Sequence, residues 1–366
     1  MKGLRNGRQE QSAKHSNAAL SSRKRRKKLR DSVVLLLMLV CLAFSGCTQR
    51  PPRAANFSAG VNAASSDVSG SARGVRPTST MVLQKSLFLN HRVESLQFFA
   101  DNSALAASTS AGRVCEWATQ GWRRVHAFEQ LDCTDTVVSP DGQTMYGVYI
   151  NRGVTGRVVA TGRRIMRCDD VGGNVSVMAV SHDGASLAVA TGRVIKILDA
   201  TTGRVERTLN CHSHAVRVLV WGPHDHSLFS GADDRTVVKS PLTSGARQLT
   251  LSFPAHIGAV SCSDDGRWIA VGGNDNDVRL YSGFTGKCMQ VLSGHTDRVW
   301  SLAFTPDGNR LASGGADDTV RIWWVKGGPP LQTLSGWGGS VYSLAWSSDG
   351  RMLVGGTGDG SVRVWQ

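Results

Sequence analysis

Most of the chain after residue 80 consists of short apolar runs separated by polar turns. In the stretch "VWSLAFTPDGNRLASGGADDTVRIWW" (299–324), three such runs flank the turns "TPDG" and "GADD". Runs of this length, bounded by Gly, Pro and Asp, predict β-strands joined by tight turns. Trp300, Leu302, Ala303 and Phe304 do not alternate with polar residues, as is typical of strands that are packed on both faces.

The same arrangement recurs along the chain. Residues 335–366 match the stretch above at an offset of 42, so that Val341 falls on Val299 and Trp365 on Trp323. Further copies lie at 256–281, 212–240, 175–198, 136–149 and 92–117. One position is equivalent in all seven repeats and is occupied, in order, by Trp117, Val159 (approximately), Leu198, Ser240, Tyr281, Trp323 and Trp365. It is called the Trp position. These are seven units, and a period near 42 residues indicates propeller blades.

The pattern of Gly-His, then Asp, then Trp resembles the WD-repeat β-propeller family. The resemblance covers 81–366; it is strongest in the last two repeats and weakest in the second. It implies an all-β fold, a seven-bladed β-propeller of four-stranded antiparallel blades. It also implies a scaffold that binds protein partners on its narrow face.

The last repeat ends at Gln366, which leaves no residues for its fourth strand. The segment "MVLQKSLFL" (81–89) aligns with "KCMQVLSGH" (287–295), which covers the outer strand before the sixth repeat. We therefore expect the N-terminal strand to complete the last blade and close the ring, which removes an open strand edge.

His295, Ser313 and Asp317 have the residue types of a hydrolase triad. With Trp323, however, they match the four positions that hydrogen-bond one another in the family. Four buried polar groups each cost a few kcal/mol if unpaired, so a closed network fixes the register of a blade. Partial copies occur elsewhere: His212, Ser230 and Asp234 in the fourth repeat, Asp359 and Trp365 in the seventh. A half-copied set favours a structural role, and we expect no catalytic residues.

Other candidate chemistry is weak. "CHSH" (211–214) and "HDH" (224–226) lie at opposite ends of one predicted strand, roughly 20–30 Å apart, and cannot share a metal ion. Phosphate-loop, HExxH, GxSxG and CxxC motifs are absent from the sequence. We therefore expect no metal and no cofactor. The cysteines after Cys47 fit no disulfide framework, and we expect mostly buried free thiols.

The N-terminus has the organisation of a signal peptide with a lipidation site. A basic block (21–31) precedes twelve apolar residues, Val33 to Phe44, and then "FSGC" ending at Cys47. Twelve residues span roughly 18 Å as a helix, too little for a bilayer core of about 30 Å. Segment 1–47 therefore resembles a bacterial lipoprotein signal peptide with Cys47 as the lipidated residue. The alternative is an uncleaved type II membrane anchor.

Segment 48–80 is rich in Ser, Ala, Gly, Pro and Thr, a composition that predicts a flexible tether with a reach of roughly 30 Å. The whole chain has a net charge of +14, but most of the excess lies in residues 1–47. The charge is therefore better explained by the signal than by nucleic-acid binding, and no nucleic-acid partner is expected.

The sequence thus predicts an exported, membrane-anchored, monomeric propeller that binds a protein of unknown identity. The predicted partner-binding residues occupy the loops before the first strands and the turns before the third: His91, Arg92, His214, Asp233, Arg235, Asn274, Asp297, Arg298, Asp318 and Trp337. Trp337 stands where a structural His is expected, so it is either an exposed contact or an inward-packed substitute. The alternatives are an enzyme that uses the central channel and a regulatory or assembly protein that is not exported.

Overall fold

The computed structural model describes residues 80–99, 101–129, 133–149, 153–169, 171–243 and 248–366. The predicted signal segment and all but the last residue of the predicted tether lie outside these ranges, so those boundaries stay predictions.

Within the described ranges the chain forms 28 strands and one short 3-10 turn, Pro223–Asp225. The strands are β1 (Leu83–Phe88), β2 (Val93–Phe98), β3 (Ala104–Thr109), β4 (Arg113–Ala118), β5 (Arg123–Glu129), β6 (Cys133–Val138), β7 (Thr144–Tyr149), β8 (Val154–Val158), β9 (Arg164–Cys168), β10 (Val175–Val180), β11 (Ser186–Thr191), β12 (Val194–Asp199), β13 (Val205–Leu209), β14 (Val216–Trp221), β15 (Ser227–Ala232), β16 (Thr236–Pro241), β17 (Leu249–Ser252), β18 (Ile257–Cys262), β19 (Trp268–Gly273), β20 (Val278–Ser282), β21 (Cys288–Leu292), β22 (Val299–Phe304), β23 (Arg310–Gly315), β24 (Thr319–Trp324), β25 (Gln332–Ser335), β26 (Val341–Trp346), β27 (Leu353–Thr357) and β28 (Ser361–Trp365).

The strands form seven four-stranded antiparallel sheets. Six sheets take four consecutive strands, beginning with β2–β5 as blade 1 and ending with β22–β25 as blade 6. Blade 7 has the order β1-β28-β27-β26. The first strands of successive blades contact one another all the way around, so they surround the central axis. The predicted seven-bladed all-β propeller is confirmed.

Antiparallel order separates the connections onto two faces. The connections from a fourth strand to the next first strand, and the turns between second and third strands, lie on one side, called here the loop face. The turns from first to second and from third to fourth strands lie on the other side, called here the turn face. The predicted interaction loops therefore share the loop face.

The N-terminal strand closes the ring as predicted. Strand β1 pairs antiparallel with β28, and Leu83 lies opposite Trp365. The pairing continues beyond the strand ends, because the Val82 and Gln366 amides each donate to the other residue's carbonyl. The Gln332 side chain of blade 6 also bonds both backbone groups of Met81, at 2.9 Å each. The two chain ends thus complete one sheet.

Neighbouring blades pack through a branched residue that meets a glycine. A β-carbon at Gly314 would lie 2.8 Å from Val341 Cγ1, at the start of the next first strand. Gly231 and Gly272 meet Ile257 and Val299 in the same way. The absence of a side chain allows this close approach, and it explains the glycines in the second strands.

The same contact carries the ring across its closure. Gly356 of blade 7 packs directly against the Cβ and Cγ1 of Val93 in blade 1. One buried cluster then joins Leu89, Val93 and Trp117 of the first repeat to Val354 and Val362 of the last. Closure therefore buries apolar surface as well as pairing a strand edge.

In the second repeat the sequence alignment was wrong by two residues. Met145 is the partner of Val138, as Leu311 is of Phe304 in blade 6, and Met145 lies opposite Arg157. The position of Trp323 is therefore held by Arg157 and not by Val159. No residue type marks the position in this repeat, and only strand register reveals it.

Deleting residues 81–88 should destabilise the propeller by several kcal/mol, because the deletion removes a strand from blade 7 and exposes the edge of β28. Thermal melting and size-exclusion chromatography would show a lower Tm and aggregation. An unchanged Tm would contradict closure by β1.

Candidate protein-interaction face

The four polar residues of blade 6 form one buried network. His295 Nε2 lies 2.7 Å from Ser313 Oγ, and Trp323 Nε1 donates to the same Oγ at 2.8 Å. His295 Nδ1 lies 3.0 Å from both carboxylate oxygens of Asp317. Asp317 also accepts from the Thr296 amide and from Thr319 Oγ1. Ser313 is fully buried mid-strand, so its hydroxyl is a hydrogen-bonding group and not an accessible nucleophile.

Burial controls the charge state of this network. Desolvation lowers the pKa of His295 although Asp317 acts against it. Burial would raise the pKa of Asp317, but the Thr296 amide, Thr319 and His295 lower it. A neutral imidazole between a carboxylate and a hydroxyl satisfies every partner.

Blade 4 holds three of the four residues. His212 Nε2 lies 2.8 Å from Ser230 Oγ, and His212 Nδ1 lies 3.1 Å from Asp234 Oδ2. Ser240 occupies the Trp position, and its buried hydroxyl has no hydrogen-bond partner. Cys211 Sγ lies 3.8 Å from Ser230 Oγ.

A paired exchange explains the cysteine. Blade 6 has Gly294 before its histidine, where a β-carbon would lie 3.1 Å from the Trp323 ring. Blade 4 has Ser240 in place of that ring, which leaves room for the side chain of Cys211. Blade 6 thus combines Gly294 with the large Trp323, whereas blade 4 combines the larger Cys211 with the small Ser240.

Blade 7 corrects one prediction. Trp337 is fully buried, so it is not a partner-binding residue. Its Nε1 donates to the Leu334 carbonyl at 3.0 Å, and its ring centroid lies 5.9 Å from that of Trp365. A β-carbon at Gly355, the position of Ser313, would lie 2.5 Å from the Trp337 ring. The indole thus fills the space of the missing His and Ser.

Blade 7 keeps Asp359 and Trp365 of the four network residues, but these two do not bond each other. Asp359 accepts from the Ser361 amide at 2.9 Å and from Thr357 Oγ1 at 2.5 Å. The buried Trp365 Nε1 has no hydrogen-bond partner. Asp359 therefore stabilises the turn, while the four-residue network of blade 6 is absent.

The other nine predicted partner-binding residues lie on the loop face. Seven are exposed: His91, Arg92, His214, Arg235, Asn274, Asp297 and Arg298. Asp233 and Asp318 are half-buried. Asp233 accepts from Arg217 Nη2 at 2.7 Å, and Asp318 accepts from the Gly339 amide at 2.9 Å. These two carboxylates are thus held by neighbouring groups.

Sequence reasoning missed a further group on this face. All seven first strands shift register after their first residue, for example between Val299 and Ser301 and between Val341 and Ser343. Such a bulge leaves the second residue without a cross-strand partner and re-aims its side chain. The second residues include Trp300 and Tyr342. The signal in the sequence was a large aromatic where the other repeats have Glu, Thr, Ser, Arg or Gly.

The two aromatic rings form a stack with two arginines. Ring centroids of Trp300 and Tyr342 lie 5.8 Å apart. Arg92 Cζ lies 5.0 Å from the Tyr342 centroid, and Arg298 Cζ lies 6.0 Å from that of Trp300. Gly258 of the preceding first strand lies against this segment, since a β-carbon there would overlap the Val299 carbonyl oxygen and lie 3.5 Å from Trp300 Cε3. This set of four side chains, called here the aromatic stack, spans blades 6, 7 and 1.

A cavity of about 360 Å³ lies at the opposite end of the axis, on the turn face. It is lined by Phe98, Phe99, Asp264, Phe304, Pro306, Trp346 and Ser348. Partial burial raises the pKa of Asp264. The lining thus combines one carboxylate with several aromatic rings, and it contains no nucleophile and base in contact.

The described residues include no cluster of three or more His, Cys, Asp or Glu that could hold a metal ion. In the same ranges no helix is long and apolar enough to cross a membrane. Among the cysteines, Cys262 is half-buried and its burial raises the thiol pKa to about 12. Among the described cysteines Cys115 is buried, Cys168, Cys211 and Cys262 are half-buried and Cys288 is exposed, so the expectation of mostly buried thiols is met only in part.

Fold and site together define a seven-bladed β-propeller with a buried His–Ser–Asp–Trp network in blade 6. The sequence model of the WD40 family, "WD domain, G-beta repeat", matches residues 203–238, 247–282, 286–323 and 328–366. These stretches fall in blades 3–7 and cover less than half of the chain. The first two repeats, which lie outside the matched stretches, have the same four-stranded architecture.

The chain is also similar to Autophagy-related protein 16 from Arabidopsis thaliana. The two are 30% identical over 160 residues, which is 43% of this chain. The match spans 31% of the length of that relative. It supports the repeat architecture of the matched part.

Gly355→Ser should destabilise the protein by about 1–3 kcal/mol, because the new side chain overlaps the Trp337 ring. Adding Trp337→His should recover part of that loss, since the pair rebuilds the blade 6 network with Asp359 and Trp365. Denaturant unfolding of both single variants and the double variant would measure the coupling. Strict additivity would contradict the packing substitution.

Asp234 should contribute stability that is lost in acid. Burial would raise the pKa of its carboxyl, but Thr236, the Ser213 amide and His212 lower it to about 2. Because the folded-state pKa is depressed, the contribution is present above the unfolded-state value and is lost as pH falls through about 2. The stability advantage of wild type over Asp234→Asn should shrink by about 1–2 kcal/mol between about pH 5 and pH 2, solvent screening included. A pH-independent difference would contradict this account.

Proposed function

We propose that this protein is a membrane-tethered interaction platform whose loop face binds a protein partner. One observation carries the proposal: the bulged first strands place Trp300 and Tyr342, half-buried and flanked by Arg92 and Arg298, at the loop-face end of the axis. Trp, Tyr and Arg are the residues most enriched at binding hot spots.

The rigidity of the aromatic stack supports recognition. Its rings stand on the innermost strands, and two arginines cover them, so few rotamers are lost when a partner binds. The resemblance to WD-repeat proteins supports the same role. The similarity to Autophagy-related protein 16 is compatible with a binding role, but it covers too little of that protein to transfer a pathway.

The central-channel enzyme remains the alternative of a different class. The cavity on the turn face offers a single carboxylate, Asp264, among aromatic rings. Acid–base or nucleophilic catalysis requires a second group within hydrogen-bond reach. The aromatic lining favours binding over catalysis.

Replacing both rings, Trp300→Ala with Tyr342→Ala, should weaken capture of the partner by at least about tenfold, since hot-spot truncations cost about 2 kcal/mol or more. Quantitative pull-down with the full chain measures capture. Trp324→Ala is the matched control, because Trp324 is also half-buried but belongs to a third strand near the turn face. Equal capture by wild type and the double variant, with unchanged melting, would refute the loop-face site.

Membrane attachment through Cys47 is proposed on the sequence alone, because Cys47 lies outside the described residues. Cys47→Ala should block lipidation and leave a larger precursor, since the thiol is the acceptor of the lipid. Incorporation of radiolabelled lipid and the size of the product would be measured. A variant that matures and partitions like wild type would refute lipidation at Cys47.

A further inference from the structure

The chain enters the propeller at Met81, on the turn face. Strand β1 runs antiparallel to β28, and its first residue, Leu83, lies opposite Trp365 at the end of a third strand. In blades 1–6 the end of the third strand is where the turn to the fourth strand lies. Any tether that precedes Met81 therefore joins the propeller at the outer edge of the turn face.

Exposed apolar side chains concentrate in the same sector. Among the described residues nine large apolar side chains are exposed, and seven of them belong to blades 5–7: Val82, Leu83, Phe88, Phe284, Met289, Val291 and Leu331. Phe88 and Val291 lie toward the loop-face ends of their strands. Phe284 is 74% exposed at the tip of the third turn of blade 5. Leu331 and Val82 directly precede the fourth strands of blades 6 and 7, with exposures of 42% and 57%. An exposed apolar group of this kind marks an interaction surface.

The edges of blades 5, 6 and 7 that carry these residues are joined by side-chain contacts. The side chain of Gln290 in blade 5 reaches the turn of blade 6, where a β-carbon at Gly327 would clash with its amide. The Gln332 side chain in turn bonds both backbone groups of Met81 at 2.9 Å. Phe284, Leu331, Val82 and Leu83 thus lie along adjacent blade edges, called here the apolar rim.

The charge of the rim is basic. The turns at 282–288 and 324–332 carry Lys287 and Lys326 and no acidic residue. Both lysines are exposed, and neither makes an ion pair within the described residues. Apolar tips beside lysines match the interface of an anionic membrane, where the tips enter the headgroup region and the lysines meet phosphates.

We infer that the apolar rim is a membrane-docking surface for anionic lipids, and that docking turns the loop face away from the bilayer. The inference specifies how the propeller is oriented on the membrane. Its physiological role rests on the membrane tether proposed above. The acidic residues of the first turns, such as Asp264 and Asp307, lie nearer the axis. The propeller therefore docks by one edge of the turn face, with these carboxylates held off the surface.

The test is hydrogen–deuterium exchange of the full chain with vesicles of phosphatidylcholine containing about 30% phosphatidylglycerol. Peptides covering 282–289 and 326–333 should exchange more slowly on vesicles. Peptides covering the loop-face segment 293–298 and the turn 200–204 of blade 3 should not change. Unchanged rim peptides in a vesicle-bound sample would overturn the inference, and this readout is independent of the basic N-terminal block.

A variant series separates the apolar contribution to membrane docking from the electrostatic one. Phe284→Ser with Leu331→Ser, and separately Lys287→Gln with Lys326→Gln, should each reduce the vesicle-induced slowing of exchange in peptides 282–289 and 326–333 by at least about fivefold. Val125→Ser with Ile165→Ser is the control, since these residues are also apolar and exposed, at 43% and 38%, but belong to blades 1 and 2. A loss as large in the control pair would overturn the inference.

The two proposals can fail separately. Protection of the rim in a chain that accepts no lipid would support docking and refute the lipid tether. Lipid on Cys47 without protection of the rim would support the tether and refute docking.

Discussion

The structure depends on one constraint: each blade can bury its two faces only against its neighbours, so the ring must close. The contact that enforces closure is repeated at several joins, where a branched residue opening a first strand packs on a glycine of the preceding blade. At the last join Val93 meets Gly356, and β1 supplies the missing outer strand of blade 7. The distant parts of the sequence are therefore held in one cooperative unit.

Closure also explains why the polar network is dispensable. Blade 6 has all four residues, blade 4 has three, and blade 7 replaces the His–Ser pair by Trp337 over Gly355. Blade 3 has only apolar residues there, with Val171, Val189 and Leu198 in one buried cluster. What each blade requires is a filled interior, and several residue sets provide it, although blades 4 and 7 each keep one unpaired buried polar atom, Ser240 Oγ and Trp365 Nε1.

Much of the architecture could be predicted from sequence because its signals are local or periodic. Strand runs, turns and the 42-residue spacing indicated seven blades, and the absent fourth strand of the last repeat indicated closure by residues 81–89. The position of Arg157 could not be predicted, since register depends on pairing. Nor could the burial of Trp337, which depends on the small Gly355 eighteen residues away. The aromatic stack was missed because a bulge, which leaves no signature in residue type, brings Trp300 and Tyr342 together.

The two faces divide the surface between two proposed roles: the aromatic stack binds a protein partner on the loop face, and the apolar rim meets lipid on the turn face. The most direct measurement is site-specific photo-crosslinking in cells that produce the full chain. A crosslinker at Asp297, exposed on the loop face, should capture a protein partner, whereas one at Asp307, exposed on the turn face, should not. Capture from position 307 and none from position 297 would contradict the account.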